Sequence, residues 1–499
     1  MMRFFIQSFL LFLIISGSCL NSNAQNLISK DTIDNEKLYR PYIHFTPKTG
    51  WMNDPNGMFF QNGVYHLYYQ FYPNATVWGP MHWGHATSKD LIHWEHKPIA
   101  IYPDSLGLIF SGSAVVDKNN TSGLGTQKNP AIVAIFTQHS MEGEKAGKNN
   151  FQNQSIAYSN DGGNTWKMYT GNPVIKNPGI NDFRDPKVIW HEPTKRWIMA
   201  LAVKNKVSLY SSANLKEWEK ESDFGELLGN HEGVWECPDL FQMSSNGKNY
   251  WVLSVSVNPG GPNKGSATQY FVGDFDGHQF NTNSNKTKWL DYGTDNYAGV
   301  TWSNTGNRKI AIGWMSNWLY AQQVPTNKWR SAMTIARELG LQEIGEEMYV
   351  SSMPVKELKF YKTSILSDGP ITPTSAYELN IQGTKISSFT ITLQNEEGES
   401  LDFGYDQETN QYFIDRSFAG LHDFHKEFAA LHSAPRISTN ANFTFKVLID
   451  KTSIEIFADN GLTVMTDIFF PKSPYSSVTI QSANEELRKS VKISSFLAK

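Results

Sequence analysis

The stretches ATSKDLIHWEHKP (86–98), AYSNDGGNTWKMY (157–169) and LYSSANLKEWEKE (209–221) share one frame. Each has a strand-like run, a Ser, a polar turn, and then a Trp that opens the next run: Trp94, Trp166 and Trp218. A fourth copy, YFVGDFDGHQF (270–280), carries Phe280 in place of the Trp, and IAIGWMSNW (310–318) fits a fifth unit. β units repeating some tens of residues apart read as propeller blades. One blade cannot bury both faces of its own sheet; packing blades in a ring buries them and leaves short, protected edges. The competing architecture, a large β-sandwich, does not account for the repeated turn and Trp.

The rest of 39–349 follows the same pattern. Runs such as GVYHLYYQFY, AIVAIFTQ, RWIMALAV and NYWVLSVSV are rich in β-branched and aromatic residues and are broken by Gly, Asn, Asp and Pro. Few stretches show a helical period. Residues 350–375, with Pro354, Pro370 and Pro373, read as a linker. From 376 to 499 alternating runs resume (FTITLQ, FKVLID, SIEIFAD), which predicts a smaller β-sandwich. The fold class is therefore all-β: a five-bladed β-propeller followed by a C-terminal β-sandwich. The sandwich shows no catalytic cluster and reads as a packing module.

A length of 499 residues suits two domains. The net charge of −4 gives no reason to expect a nucleic acid or an anionic membrane surface as partner. The N-terminus, MMRFFIQSFLLFLIISGSCLNSNAQ, has Arg3, a short apolar run and a small-residue site at Ala24, so 1–24 reads as an export signal. Two options stand there: cleavage after Ala24, or a lipoprotein signal ending before Cys19 with a lipid on that cysteine. Either makes the protein an exported one, periplasmic, cell-surface or extracellular in a bacterium. With the leader removed, Cys237 is the one remaining cysteine, so no internal disulfide forms. The pairs His82/His85 and His93/His96 lie in Trp-rich strands and read as structural or hydrogen-bonding histidines. Neither a metal nor a cofactor is expected. Oligomeric state is open.

Three acids sit among aromatics and prolines: Asp54 in WMNDPNG, Asp185 in DFRDPK and Glu236 in VWECPDLF. Asp54 is expected in a fixed turn, and the Pro after Asp54 and after Asp185 predicts extended backbone at both. Taken alone, a DPNG turn reads more readily as a hairpin than as a catalytic site. The three acids fall in different blade units, however, and equivalent strands of a propeller converge on its axis, so all three can share one funnel. Paired carboxyls across a sugar bond are what glycoside hydrolysis needs. Arg184, adjacent to Asp185, is expected to keep Asp185 ionised.

WMNDPNG, FSGSAV (110–115), FRDPK, WECPDL, DYG before YA, and GWMSNW together resemble glycoside hydrolase family 32, the invertases, inulinases and levanases, and within it bacterial levanases. The likeness spans nearly the whole mature chain. It implies a five-bladed propeller with a β-sandwich and a fructan polysaccharide or oligosaccharide as substrate. Matched by motif, Asp54 resembles the nucleophile, Asp185 the transition-state stabiliser and Glu236 the acid/base. Asn53, Gln70, Trp78, Phe110, Ser111, Arg184 and Trp314 match positions that hold the terminal fructose. Retention of configuration, as in the family, implies that the carboxyls of Asp54 and Glu236 lie about 5–5.5 Å apart. In DYGTDNYAG, Asn296 stands where many relatives place an aromatic; facing the cleft, it would alter an outer subsite and the cutting pattern. The other functions weighed are a fructosyltransferase, a non-catalytic fructan-binding protein and an arabinan-cleaving propeller.

Overall fold

The computed structural model describes residues 35–366, 368–371 and 376–496. The export signal and Cys19 lie outside the described residues. Five antiparallel sheets follow one another from Gly50 to Pro354 and form the blades of a propeller. Their first strands are Gly50–Gln61, Leu108–Val116, Phe183–His191, Val234–Ser245 and Tyr297–Thr301. These five pack against one another in a ring and are the innermost strands. Blade one is closed by the short strand Trp329–Arg330, which runs parallel to Gly50–Gln61.

The repeated frame is the turn between the third and fourth strands of blades one to four. In the first copy Ser88 Oγ accepts the amides of Asp90 and Leu91, and Asp90 Oδ1 accepts those of Ile92 and His93. Ser212 and Asn214 repeat this pattern in blade three, and Asp276 holds two amides in blade four. Trp94 and Trp218 then donate their indole N–H to the carbonyls of Leu91 and Leu215. Short oxygen-bearing side chains satisfy the turn backbone, and the Trp caps it while filling the space between blades. Blade five uses a plain two-strand turn at Gly345 instead, which is why the repeat is not visible there; GWM lies in its second strand, Ile310–Met315.

Residues 350–375 are not a simple linker. The last strand of blade five runs Glu347–Pro354, and Tyr361–Ile365 and Gly369–Pro370 already pair into the second domain. The prolines misled because proline is compatible with a sheet edge, where its missing N–H costs no ladder bond; Gly369–Pro370 is such an edge. The second domain is two six-stranded sheets packed face to face around a core that includes Leu379, Ile391, Phe403, Ile414, Val447 and Ile456.

The two domains share a core in which Leu448, Phe457 and Val464 pack with Met52, Ile312 and Met333. Buried charge crosses the same boundary. His44 lies between Asp450 (2.8 Å) and Glu455 (2.7 Å). Arg337 bridges Asp291 and Glu455, and Arg416 reaches Asp295 at 2.7 Å with both side chains fully buried. Removing one member of such a pair strands the other in a low-dielectric site, so the boundary is specified as well as packed.

Candidate active site

Each innermost strand carries the same defect. In all five, two residues stand opposite one residue of the neighbouring strand, a β-bulge. The bulged pairs are Asn53–Asp54, Phe110–Ser111, Asp185–Pro186, Cys237–Pro238 and Ala298–Gly299. A bulge leaves a residue out of the ladder and re-aims its side chain. Five of them at one level re-aim side chains toward the axis.

Asp54 is therefore not in a turn; WMNDPNG lies within the twelve-residue strand Gly50–Gln61. Asp185 is not extended either. Its φ is +65°, in the left-handed region that Asp tolerates better than most residues. Thr137 Oγ1 accepts the Asp185 amide (2.9 Å), and the carboxylate accepts the Cys237 amide (3.1 Å). These contacts from two neighbouring blades overrule the local preference set by Pro186.

The three acids are joined by a continuous set of contacts. Ser111 Oγ donates to Asp54 Oδ2 (2.6 Å) and Asn53 Nδ2 to Asp54 Oδ1 (3.0 Å). Cys237 Sγ lies 3.3 Å from Asp54 Oδ2 and 3.6 Å from Asp185 Oδ2. Arg184 Nε donates to Glu236 Oε1 (3.1 Å), and its Nη1 donates to Asp182 (2.6 Å). The Tyr297 hydroxyl donates to Glu236 Oε2. Burial and the adjacent Glu236 carboxylate push the Tyr297 phenol well above its ordinary value, so it remains a donor.

Arg184 does not keep Asp185 ionised. It stands 3.9 Å from that carboxylate, while its closer partners are Glu236 and Asp182. Burial dominates instead and lifts Asp185 to about 7 against the opposing pull of Arg184, with Glu236 and Asp54 adding to the rise. The consequence for stability has a definite sign. A carboxyl raised above its ordinary 3.8 is harder to ionise in the folded state, so folding loses stability as pH climbs from about 4 to about 7. Asp185→Asn removes this penalty. We expect it to be more stable than wild type by on the order of 2 kcal/mol at pH 8, with the gap closing below pH 4. Urea unfolding of both proteins at the two pH values checks this; equal stability at pH 8 would refute it.

Exposure separates the acids. Asp54 and Asp185 are 9% and 5% exposed, whereas the Glu236 side chain is 22% exposed. Glu236 is thus the most exposed of the three. Among the other matched positions, Phe110 stacks on His139 at 4.3 Å and meets Trp78 edge-on at 6.1 Å, forming one wall. Gln70 lies opposite the Asn53–Asp54 bulge, and its amide is spent on Asn56 Oδ1 (2.7 Å) and the Ile109 carbonyl (3.0 Å). Trp314 is fully buried, packed behind the partly exposed Trp318 at 4.8 Å and beside Trp51 at 6.0 Å. Of this pair, Trp318 is the one with exposed surface.

Asn296 is half-buried, with its Oδ1 beside Gly313, opposite the blade-five bulge. Its amide donates to Asp291 (3.1 Å) and belongs to the network at the domain boundary. Sequence reading missed two contributors, Cys237 and Tyr297. Both lie inside motifs that were singled out, WECPDL and DYG…YA, but a spacing does not show which side chain meets a carboxylate.

The likeness to known proteins runs along both domains. The family model "Glycosyl hydrolases family 32 N-terminal domain" matches residues 44–352, and its C-terminal counterpart matches 352–496. The chain is 46% identical to a levanase of Bacillus subtilis over 89% of this chain and 68% of that protein. It is 37% identical to an extracellular exo-inulinase of Aspergillus awamori, over 88% of this chain and 90% of that one. The crystal structure of the Aspergillus awamori exo-inulinase superposes with a TM-score of 0.84 at 34% identity, covering 92% of this chain and 98% of the other. A chain matched from blade one to the end of the sandwich, with the family's architecture and the three acids brought together at its axis, belongs to glycosyl hydrolase family 32 and is a glycosidase.

Proposed function

We propose that this protein is an exported, retaining fructan hydrolase that cleaves β-fructofuranosidic bonds, with β-2,6-linked levan as its main substrate. The observation that carries the reading is the joining of Asp54, Asp185 and Glu236 at one end of the propeller axis through Ser111, Cys237 and Arg184. The levan preference is supported by the 46% identity to a levanase, against 37% to an inulinase.

Asp54 attacks C2 of a fructofuranosyl unit. The Asp54–C2 ester bond forms as the bond from C2 to the bridging oxygen breaks, and that oxygen takes the proton of Glu236. Glu236, now a carboxylate, draws a proton from water; the water oxygen adds to C2, fructose departs and Asp54 is freed. Ser111 and Asn53 hold the Asp54 carboxylate in place for attack. Asp185 accepts hydrogen bonds from sugar hydroxyls, and these strengthen as charge develops at the ring. Its ionised form, dominant above about 7, is the better acceptor.

The test is to incubate the purified protein with levan and with inulin separately and to resolve products over time. Faster release from levan supports the reading, and preference for inulin moves the substrate to β-2,1 chains. Fructose alone from the first points means trimming of chain ends, whereas an oligosaccharide ladder means internal cutting. Products longer than the substrate at high sucrose would make it a transferase. No turnover of levan, inulin or sucrose would overturn the proposal.

A further inference from the structure

We propose that the C-terminal sandwich is a positioning device for the reaction: its strand Thr463–Ile468 holds the loop 290–296 that places Tyr297, and through Tyr297 the acid/base Glu236. The inference rests on the acid/base role proposed for Glu236.

The loop is fastened to the sandwich by main chain. The amides of Tyr292 and Asp295 donate to the carbonyls of Val464 (2.8 Å) and Thr466 (2.9 Å). In the other direction, the Ile468 amide donates to Asp295 Oδ2 (3.0 Å) and the Thr294 amide to Asp467 Oδ1 (3.0 Å). Gly293 sits so close that a Cβ there would lie 2.1 Å from the Thr466 nitrogen. Only glycine permits this approach without movement.

Buried charge locks the same loop from both sides. Asp291 accepts from Arg337 (2.8 Å) and from Thr466 Oγ1 (2.6 Å), and it also holds the Asn296 amide (3.1 Å). Asp295 accepts from Arg416 (2.7 Å) and from the Tyr320 hydroxyl (2.7 Å). Glu455 anchors Arg337, and His432 anchors Asp467 from the sandwich side. Asn296, at the end of this clamped loop, is followed directly by Tyr297, which opens the innermost strand of blade five.

At the catalytic end, the Tyr297 hydroxyl faces Glu236, which Arg184 contacts from blade three. Cys237 and Asp54 complete the ionisable groups acting on Tyr297. Its hydrogen bond fixes the orientation of the Glu236 carboxyl. A loop released from the sandwich shifts Tyr297, loosens that bond and lets the carboxyl leave the geometry that its proton transfer needs. A merely stabilising sandwich would lower Tm and leave kcat where it was.

The experiment uses the full chain and compares wild type, Gly293→Ala, Thr466→Val, Tyr297→Phe and the two double variants with Tyr297→Phe. Circular dichroism and Tm establish folding, and kcat and KM on levan are measured separately. We expect Tyr297→Phe to lower kcat about tenfold with KM nearly unchanged, since the hydrogen bond that orients the Glu236 carboxyl is lost. Gly293→Ala and Thr466→Val should lower kcat the same way by a smaller factor. In the Tyr297→Phe background they should add almost nothing, because they act through the missing hydroxyl. A folded Gly293→Ala or Thr466→Val with a wild-type kcat, or losses that multiply in full, would overturn the proposal. Glu236→Ala in the same series separates the two readings. Retained turnover there removes the acid/base assignment itself, whereas an inactive Glu236→Ala beside an unchanged Gly293→Ala kcat removes only the clamp.

Discussion

Asp54→Asn should lower kcat on levan by about 10⁴-fold or more while the protein stays folded. The substitution keeps the shape of the side chain and removes its ability to form the ester with C2. Asn Oδ1 can still accept from one of the two donors that hold Asp54, the Ser111 hydroxyl and the Asn53 amide. Its new Nδ2 then faces the other donor. The Ser111 hydroxyl can rotate to accept from that NH₂, so the cost in stability stays within about 1–2 kcal/mol. Rate assays with matched thermal melts check both halves. Turnover within tenfold of wild type would mean that Asp54 forms no bond with the sugar, and the carboxylate would have to act from solvent distance.

Glu236→Ala is the second large effect, with an expected loss of about 10²–10⁴-fold in kcat. The character of the loss matters more than its size. A proton donor is needed least by a leaving group that departs readily as an anion, so the deficit should shrink for an activated aryl fructofuranoside. Added azide should raise the rate and yield fructosyl azide, because an anion needs no base to attack the Asp54 ester. The substitution also leaves Arg184 without its 3.1 Å partner, though Asp182 still holds it. An equal deficit for both substrates and no effect of azide would assign Glu236 to structure.

How much of this was readable in advance differs between fold and site. The repeated Ser, polar turn and Trp marked the blades because each copy is satisfied within about ten residues of itself, as in Ser88, Asp90 and Trp94. Blade five lacks the copy, and only its strand pairing identifies it. The connector was misread for the converse reason. Its prolines are equally compatible with a loop and with the edges of two sheets, and only pairing with Ser477–Ser482 and Lys492–Ser495 distinguishes these.

In the site, the types of the three acids and their flanking residues were legible, because glycoside chemistry needs carboxyls and their motifs stand out from a blade's ordinary pattern. Their conformations were not. A Pro after Asp185 argues for extended backbone, yet Thr137 and the Cys237 amide, from the blades on either side, hold it at a φ of +65°. Adjacency in sequence suggested Arg184 as the partner of Asp185, but the bulge turns neighbouring side chains in different directions and sends the guanidinium to Glu236, 52 residues away.

By itself, then, the sequence determined the all-β class, the blade repeat, the second domain and which three acids stand out from the blade pattern, since these rest on composition, period and local hydrogen bonding. Tertiary structure alone decided that five bulges aim side chains at one axis, that Cys237 spans 183 residues to reach Asp54, and that a sandwich strand is fastened to the loop before Tyr297. Those outcomes depend on contacts between strands far apart in the chain. They form only when the ring closes, and burial within the closed ring then outweighs the pull of the sequence neighbour Arg184 on Asp185.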